Sequence, residues 1–124
     1  MTIITSFSMS APENLKTFEG TVEQLNEEIL SHDGLVVVKF GSTTCMPCRR
    51  VRQILPSIAK ENPTVMFLNV EVDQEPSIAA AYEITSVPNT KFFKGKTEDG
   101  KPKEVDSVIG AQIPQLKQKV AEHK

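Results

Sequence analysis

Cys45-Met46-Pro47-Cys48 holds the only two cysteines of the chain. Two thiols separated by two residues can close a small disulfide when the first sits at a helix entrance. There the free backbone N–H groups and the helix dipole favour a thiolate. A thiolate attacks a disulfide sulfur, and a neighbouring thiol then resolves the mixed disulfide. By position Cys45 is the attacking sulfur, first in the pair and at the exposed entrance. Cys48, one helical turn further in, is the resolving sulfur. Pro47 limits the backbone between them and suits a first helical turn. An inert disulfide or two buried thiols is the competing reading. No metal site is expected, because zinc needs four ligands and only His32 and His123 could add to the cysteines. Covalent haem attachment is excluded by Arg49, where that motif requires histidine.

The elements that must position the pair follow from hydrophobic period. Gly34-Leu35-Val36-Val37-Val38-Lys39-Phe40 reads as a buried strand and Gly41-Ser42-Thr43-Thr44 as the turn out of it. From Cys48 onward Val51, Ile54, Leu55 and Ile58 recur at helical spacing, with Asn62-Pro63 ending the helix and Pro56 expected to kink it. Before this unit, Leu15 to Phe18 is a short edge strand. A helix then opens at Thr21, whose spacing to Gln24 is that of a capping box. After it, Val65 to Val72 is a second core strand, and a helix begins near Pro76. Thr90 to Lys94 and Glu104 to Ile109 form an antiparallel pair around a polar loop, Gly95 to Lys103. Pro114 to Lys124 is the last helix. The order β-α-β-α-β-α-β-β-α predicts an α/β fold, a central mixed sheet of four to five strands with helices on both faces. The dithiol then sits at the carboxyl end of a strand, where open α/β sheets place their chemistry.

At 124 residues the chain is read as one domain over residues 15–124, preceded by a flexible Ser/Thr-rich segment over residues 1–14. A net charge of −2 argues against a general nucleic-acid surface. No apolar run approaches the roughly 18 residues of a membrane span. The first residues lack the basic and apolar regions of a secretory signal and the arginines of a transit peptide. The expected setting is therefore cytoplasmic and reducing, where such a pair is more often catalytic than structural.

Four segments together resemble the thioredoxin family, and the resemblance covers most of the chain. Thr44-Cys45-Met46-Pro47-Cys48-Arg49 stands where that family usually has Trp-Cys-Gly-Pro-Cys-Lys. Phe67 to Asp73 resembles its central strand, Ser86-Val87-Pro88-Asn89-Thr90 the segment carrying its cis-proline, and Val108-Ile109-Gly110-Ala111 the turn before its last helix. The resemblance implies a thioredoxin-like fold and a thiol–disulfide oxidoreductase that reduces protein disulfides through Cys45 and Cys48. It implies that Pro88 follows a cis peptide bond and that Val87 offers backbone groups to an extended substrate strand. Gly110 would permit a turn close to the site. Thr44, Met46 and Pro47 would complete the docking surface. No bound cofactor is expected, as no Gly-rich nucleotide loop is present. Electrons would come from NADPH through thioredoxin reductase, clients would include peroxiredoxins, and the protein would be a monomer.

The departures from the family pattern fall at the site. Thr44 replaces a tryptophan, and the chain contains no Trp. Met46 replaces glycine and adds a flexible apolar side chain at the docking face. Arg49 would raise the local positive potential and favour a thiolate. Lys39 stands where the family usually carries a buried aspartate. Strand alternation places it on the face of Val37, opposite Val38 and Phe40. Two fates are open to it: the amine snorkels to water or pairs with a carboxylate such as Glu71, or it lies near the dithiol and tunes the thiolate. The alternatives for function are a specialised redoxin serving a peroxiredoxin or glutathione system, and an interaction module with a regulatory dithiol.

Overall fold

In the computed structural model, which describes residues 12–124, five strands and four helices follow one another in the expected order. They are β1 (Leu15–Phe18), α1 (Val22–Leu30), β2 (Val36–Gly41), α2 (Met46–Glu61), β3 (Met66–Glu71), α3 (Pro76–Ala81), β4 (Asn89–Lys96), β5 (Pro102–Ile109) and α4 (Ile113–His123). The strands form one mixed sheet in the order β1-β3-β2-β4-β5. β3 is parallel to both β1 and β2, whereas β4 is antiparallel to β2 and to β5. β2 is therefore the central strand, and all six of its residues are buried.

Alternation along β2 splits the core in two. Val37 joins Phe67 and Phe92 beneath Val51, Leu55 and Ile58 of α2 and Leu116 of α4. Val36, Val38 and Phe40 join Leu68 and Val70 against Leu25 and Ile29 of α1 and Ile78 of α3. A strand buried on both faces reads as a continuous apolar run, which is why residues 35–38 show no polar alternation.

Local chemistry sets the helix ends. Thr21 Oγ1 accepts from the Gln24 N–H at 3.1 Å, and Gln24 Oε1 accepts from the Thr21 N–H at 2.9 Å, so the capping box forms as the spacing predicts. α2 runs on through Pro56, whose missing N–H costs the helix one backbone bond. The β4–β5 pairing extends further than expected. Lys96 pairs with Pro102, leaving a loop of only Thr97 to Lys101. Main-chain pairing here outlasts the last buried side chain, so hydropathy alone set the strand ends too short.

The segment expected to be loosely held, residues 1–14, lies largely outside the described residues. Asn14, its last member, is anchored: Nδ2 donates to the carbonyls of Ala59, Asn62 and Val65 at 3.0, 3.0 and 2.8 Å.

At the far edge Asp106 of β5 holds α4. Lys119 Nζ donates to Oδ1 at 2.6 Å, and His123 Nε2 lies 2.9 Å from Oδ2. These bonds, the Lys119 one foremost, hold the Asp106 carboxyl at about 2, below its ordinary 3.8. A depressed carboxyl contributes stability above its unfolded value and loses it as pH falls through the folded one. Asp106→Asn is therefore expected to lower the unfolding free energy at pH 7 by about 1 kcal/mol. In urea titrations the difference from the parent should shrink as the pH drops from about 4 to 2.

Candidate active site

β2 delivers the chain at its carboxyl end into a short loop, and α2 begins immediately after Cys45. Cys45 is the N-cap of that helix, in extended backbone geometry, and its Sγ accepts from the Cys48 N–H at 3.1 Å. The two cysteines form a disulfide with their Cα atoms 5.2 Å apart. They differ in access: Cys45 is half-buried, whereas Cys48 is wholly enclosed. The loop is fastened from β3's end. Thr43 donates to the Asp73 carboxylate from Oγ1 at 2.6 Å and from its N–H at 3.3 Å, which lowers the Asp73 pKa. This Thr43–Asp73 clamp was not anticipated from the sequence, where two exposed residues 30 positions apart carry no common signal.

A second segment faces the sulfurs. The Val87–Pro88 bond is cis, and Val87 O stands 3.8 Å from Cys45 Sγ, placed to accept from that thiol once it is reduced. A third segment supports the second: the Gly110 N–H donates to Pro88 O at 2.8 Å. Gly110 has φ +84°, a conformation that favours glycine. Thr44, Met46 and Pro47 are exposed at the mouth. Among the described residues, Met46 at 67% and Ile109 at 55% are the large apolar side chains most open to solvent. Ile109 ends β5 next to Gly110 and pairs in register with Asn89, the residue after Pro88. Arg49 is exposed on the same surface as Met46, Pro47, Arg50 and Gln53, and makes no ion pair among the described residues.

Lys39 lies beneath the helix entrance, on the face of Val37 as alternation predicts. The expectation that its amine snorkels to water or pairs with Glu71 is corrected: the residue is wholly enclosed, and Nζ donates to Asn69 Oδ1 at 2.8 Å. The central strand offers no lateral escape, and Asn69 is its register partner on β3. Glu71 Oε2 is instead taken by Arg52 at 3.0 Å and Asn69 Nδ2 at 3.2 Å. Arg52 thus serves as the ion-pair partner of Glu71. Burial, first among its causes, lowers the Lys39 pKa; Glu71 opposes that shift and Arg52 adds to it. Asn69 was missed in the sequence, although its alternation with Phe67 and Glu71 puts all three on one face.

An N-capping sulfur at the helix mouth, a second sulfur sealed behind it and a cis-proline backbone alongside define a dithiol–disulfide exchange site on an α/β fold. Comparison with known proteins agrees. The family model described as Thioredoxin matches residues 16–122. Thioredoxin H-type 1 of Nicotiana tabacum is 42% identical over 89 residues, 72% of this chain and 66% of that protein. Thioredoxin H-type of Ricinus communis is 37% identical over 106 residues, 83% of this chain and 85% of that one. The solved Trichomonas vaginalis thioredoxin superposes with a TM-score of 0.82 at 38% identity, over 91% of this chain and 100% of that one. The chain belongs to the thioredoxin family, and its activity is thiol–disulfide oxidoreduction.

Gly41 shows how tightly the floor of the site is built. A Cβ added there would stand 2.7 Å from Lys39 Nζ and 3.2 Å from Cys48 Cβ. Gly41→Ala is expected to destabilise the fold by about 1–3 kcal/mol, as overpacking does, because neither enclosed neighbour can retreat to solvent. Chemical denaturation of the oxidised protein measures this, and a neutral substitution would contradict the packing described.

Proposed function

We propose that this chain reduces disulfides of client proteins, with Cys45 attacking and Cys48 resolving. The observation that carries the reading is the unequal access of two sulfurs at one helix terminus. A client disulfide can approach half-buried Cys45 but not enclosed Cys48. The Cys48 N–H is already directed at Cys45 Sγ and supports negative charge there. Attack forms the Cys45–client bond and breaks the client disulfide, releasing one client thiolate. Cys48 then attacks Cys45 Sγ, closing the intramolecular disulfide and releasing the second client sulfur.

The roles of the surrounding residues follow. Val87 and Pro88 present backbone to an extended client segment, as strand-like recognition requires. Gly110 holds that backbone, while Thr44, Met46 and Pro47 shape an apolar rim without an aromatic residue. Arg49 adds positive potential at the mouth. Reduction of Cys45–Cys48 is assigned to thioredoxin reductase drawing on NADPH, with no cofactor bound to this chain. Peroxiredoxins are among the clients, and the protein acts as a cytoplasmic monomer in electron transport and redox homeostasis. No helix of the described residues is long and apolar enough to cross a membrane.

Cys45→Ser should reduce insulin-disulfide cleavage to background. Cys48→Ser should keep the attack but accumulate mixed disulfides through Cys45, visible on non-reducing gels and by mass spectrometry. Client adducts on Cys48 in the Cys45→Ser protein, with none in the reverse variant, would invert the assignment. NADPH consumption with thioredoxin reductase should exceed that with glutathione and its reductase. The opposite order would favour a glutathione-linked redoxin.

A further inference from the structure

Arg49 and Arg50 are exposed and form no ion pair among the described residues, whereas Arg52, on the same helix, is bound to Glu71. The helix offers the two of them no partner. Positions three and four residues away hold no carboxylate, and the first acidic residue of α2 is Glu61. Their place also works against the helix, whose amino-terminal end is partially positive and favours anions. The fold therefore gains no electrostatic support from them. With Met46, Pro47 and Gln53 they line one open groove, and no carboxylate borders it. Met46 and Pro47, next to Cys45 in the chain, are its apolar part, and the two guanidinium groups are its charged part. In a chain of net charge −2, that sign is local to this patch.

We propose that this groove is a client subsite in which Arg50 selects segments carrying a carboxylate side chain near the attacked cysteine. The inference rests on the dithiol reading above and names the client chemistry which that reading leaves open. Arg50 lies five residues past Cys45, about 7.5 Å along the helix axis. An extended client strand covers that distance in two or three residues. An Asp or Glu so spaced from the client cysteine meets the guanidinium while the cysteine meets Cys45 Sγ. A guanidinium donates to both oxygens of a carboxylate through paired N–H groups, which fixes orientation as well as attraction. The exchange step itself is unchanged: Cys45 Sγ bonds to one client sulfur, and the other leaves with the electron pair of the broken disulfide. The competing role is action on Cys45 alone, where the arginines favour its thiolate and speed attack on every client alike.

Two peptides separate these roles. Each carries its cysteine as a mixed disulfide with 2-thiopyridine, a neutral leaving group. One has glutamate two residues to either side of the cysteine, and the other has glutamine there. Cys45 of the reduced protein attacks the peptide sulfur, and the thiopyridone released is followed by its absorbance. The readout is the ratio of the two second-order rate constants within one protein, from which any change in the thiolate cancels. For the parent at about 0.15 M salt we expect the acidic peptide to react about fivefold faster, the scale of one or two exposed ion pairs. The ratio should fall toward one as added salt screens the pair. Arg50→Gln should remove most of the preference, and Arg50→Glu should reverse it. Lys60→Gln removes the same charge from an exposed position of the same helix. It lies about 15 Å further on, beyond the screening length, and should keep the parent ratio. A ratio of one in the parent, the parent ratio surviving in Arg50→Gln, or an equal loss in Lys60→Gln would overturn the inference and leave the dithiol reading standing. A fall in both rates with the ratio intact in Arg50→Gln would also overturn it, in favour of action on the thiolate alone. Release at the parent rate from Cys45→Ser would overturn the dithiol reading instead.

Discussion

The N–H of Cys48 points back at Cys45 Sγ from 3.1 Å, so the first turn of α2 supports whatever charge that sulfur carries. The interaction exists only if Cys45 ends the loop in extended geometry and the helix starts on the next residue. Much of the fold serves that requirement. Five strands fix the carboxyl end of β2, and Val51, Leu55 and Ile58 press α2 onto the sheet. The Thr43–Asp73 clamp then sets the last loop residues before the cap. A shift of α2 along its axis would move the N–H groups and the sulfur together, but a change in the loop would separate them. The loop, rather than the helix, is therefore where the site is most sensitive.

Beneath this surface the chain places a cation in a position that two layers of packing close off. The cost of enclosing Lys39 is moderated by Asn69, whose carbonyl oxygen takes one N–H while its amide reaches Glu71. Arg52 in turn balances Glu71 from α2, so the helix that carries the dithiol is tied to β3 by a charged bond as well as by apolar contact. The same residues that satisfy the lysine thus link the floor of the site to the helix on which Cys48 rides. Gly41 completes the arrangement by leaving room for the amine.

Much of this was legible in the sequence, for identifiable reasons. The elements around the dithiol carry strong periodic patterns, and Thr21 with Gln24 or Pro76 mark helix starts by chemistry that acts locally. The cis bond before Pro88 followed from resemblance to the family, since nothing in the local residues distinguishes it from a trans proline. Alternation put Lys39 on the correct face. Its fate was not legible, because both Asn69 and Glu71 lie on the facing side of β3 and only the strand register decides which one the amine meets. The Thr43–Asp73 clamp and the exposure of Ile109 likewise depend on how distant segments converge. The hairpin ends were set too short because backbone pairing continues where side chains have become polar.

The central claim is that the helix entrance makes Cys45 the ionised, accessible sulfur while Cys48 stays enclosed. The most direct measurement is the pH dependence of iodoacetamide alkylation of the reduced protein, with each modified cysteine identified by peptide mass spectrometry. The account predicts that Cys45 is labelled first and titrates clearly below the ordinary thiol value of about 8.5. Labelling of Cys48 before Cys45, or a Cys45 profile centred at the ordinary value, would contradict it.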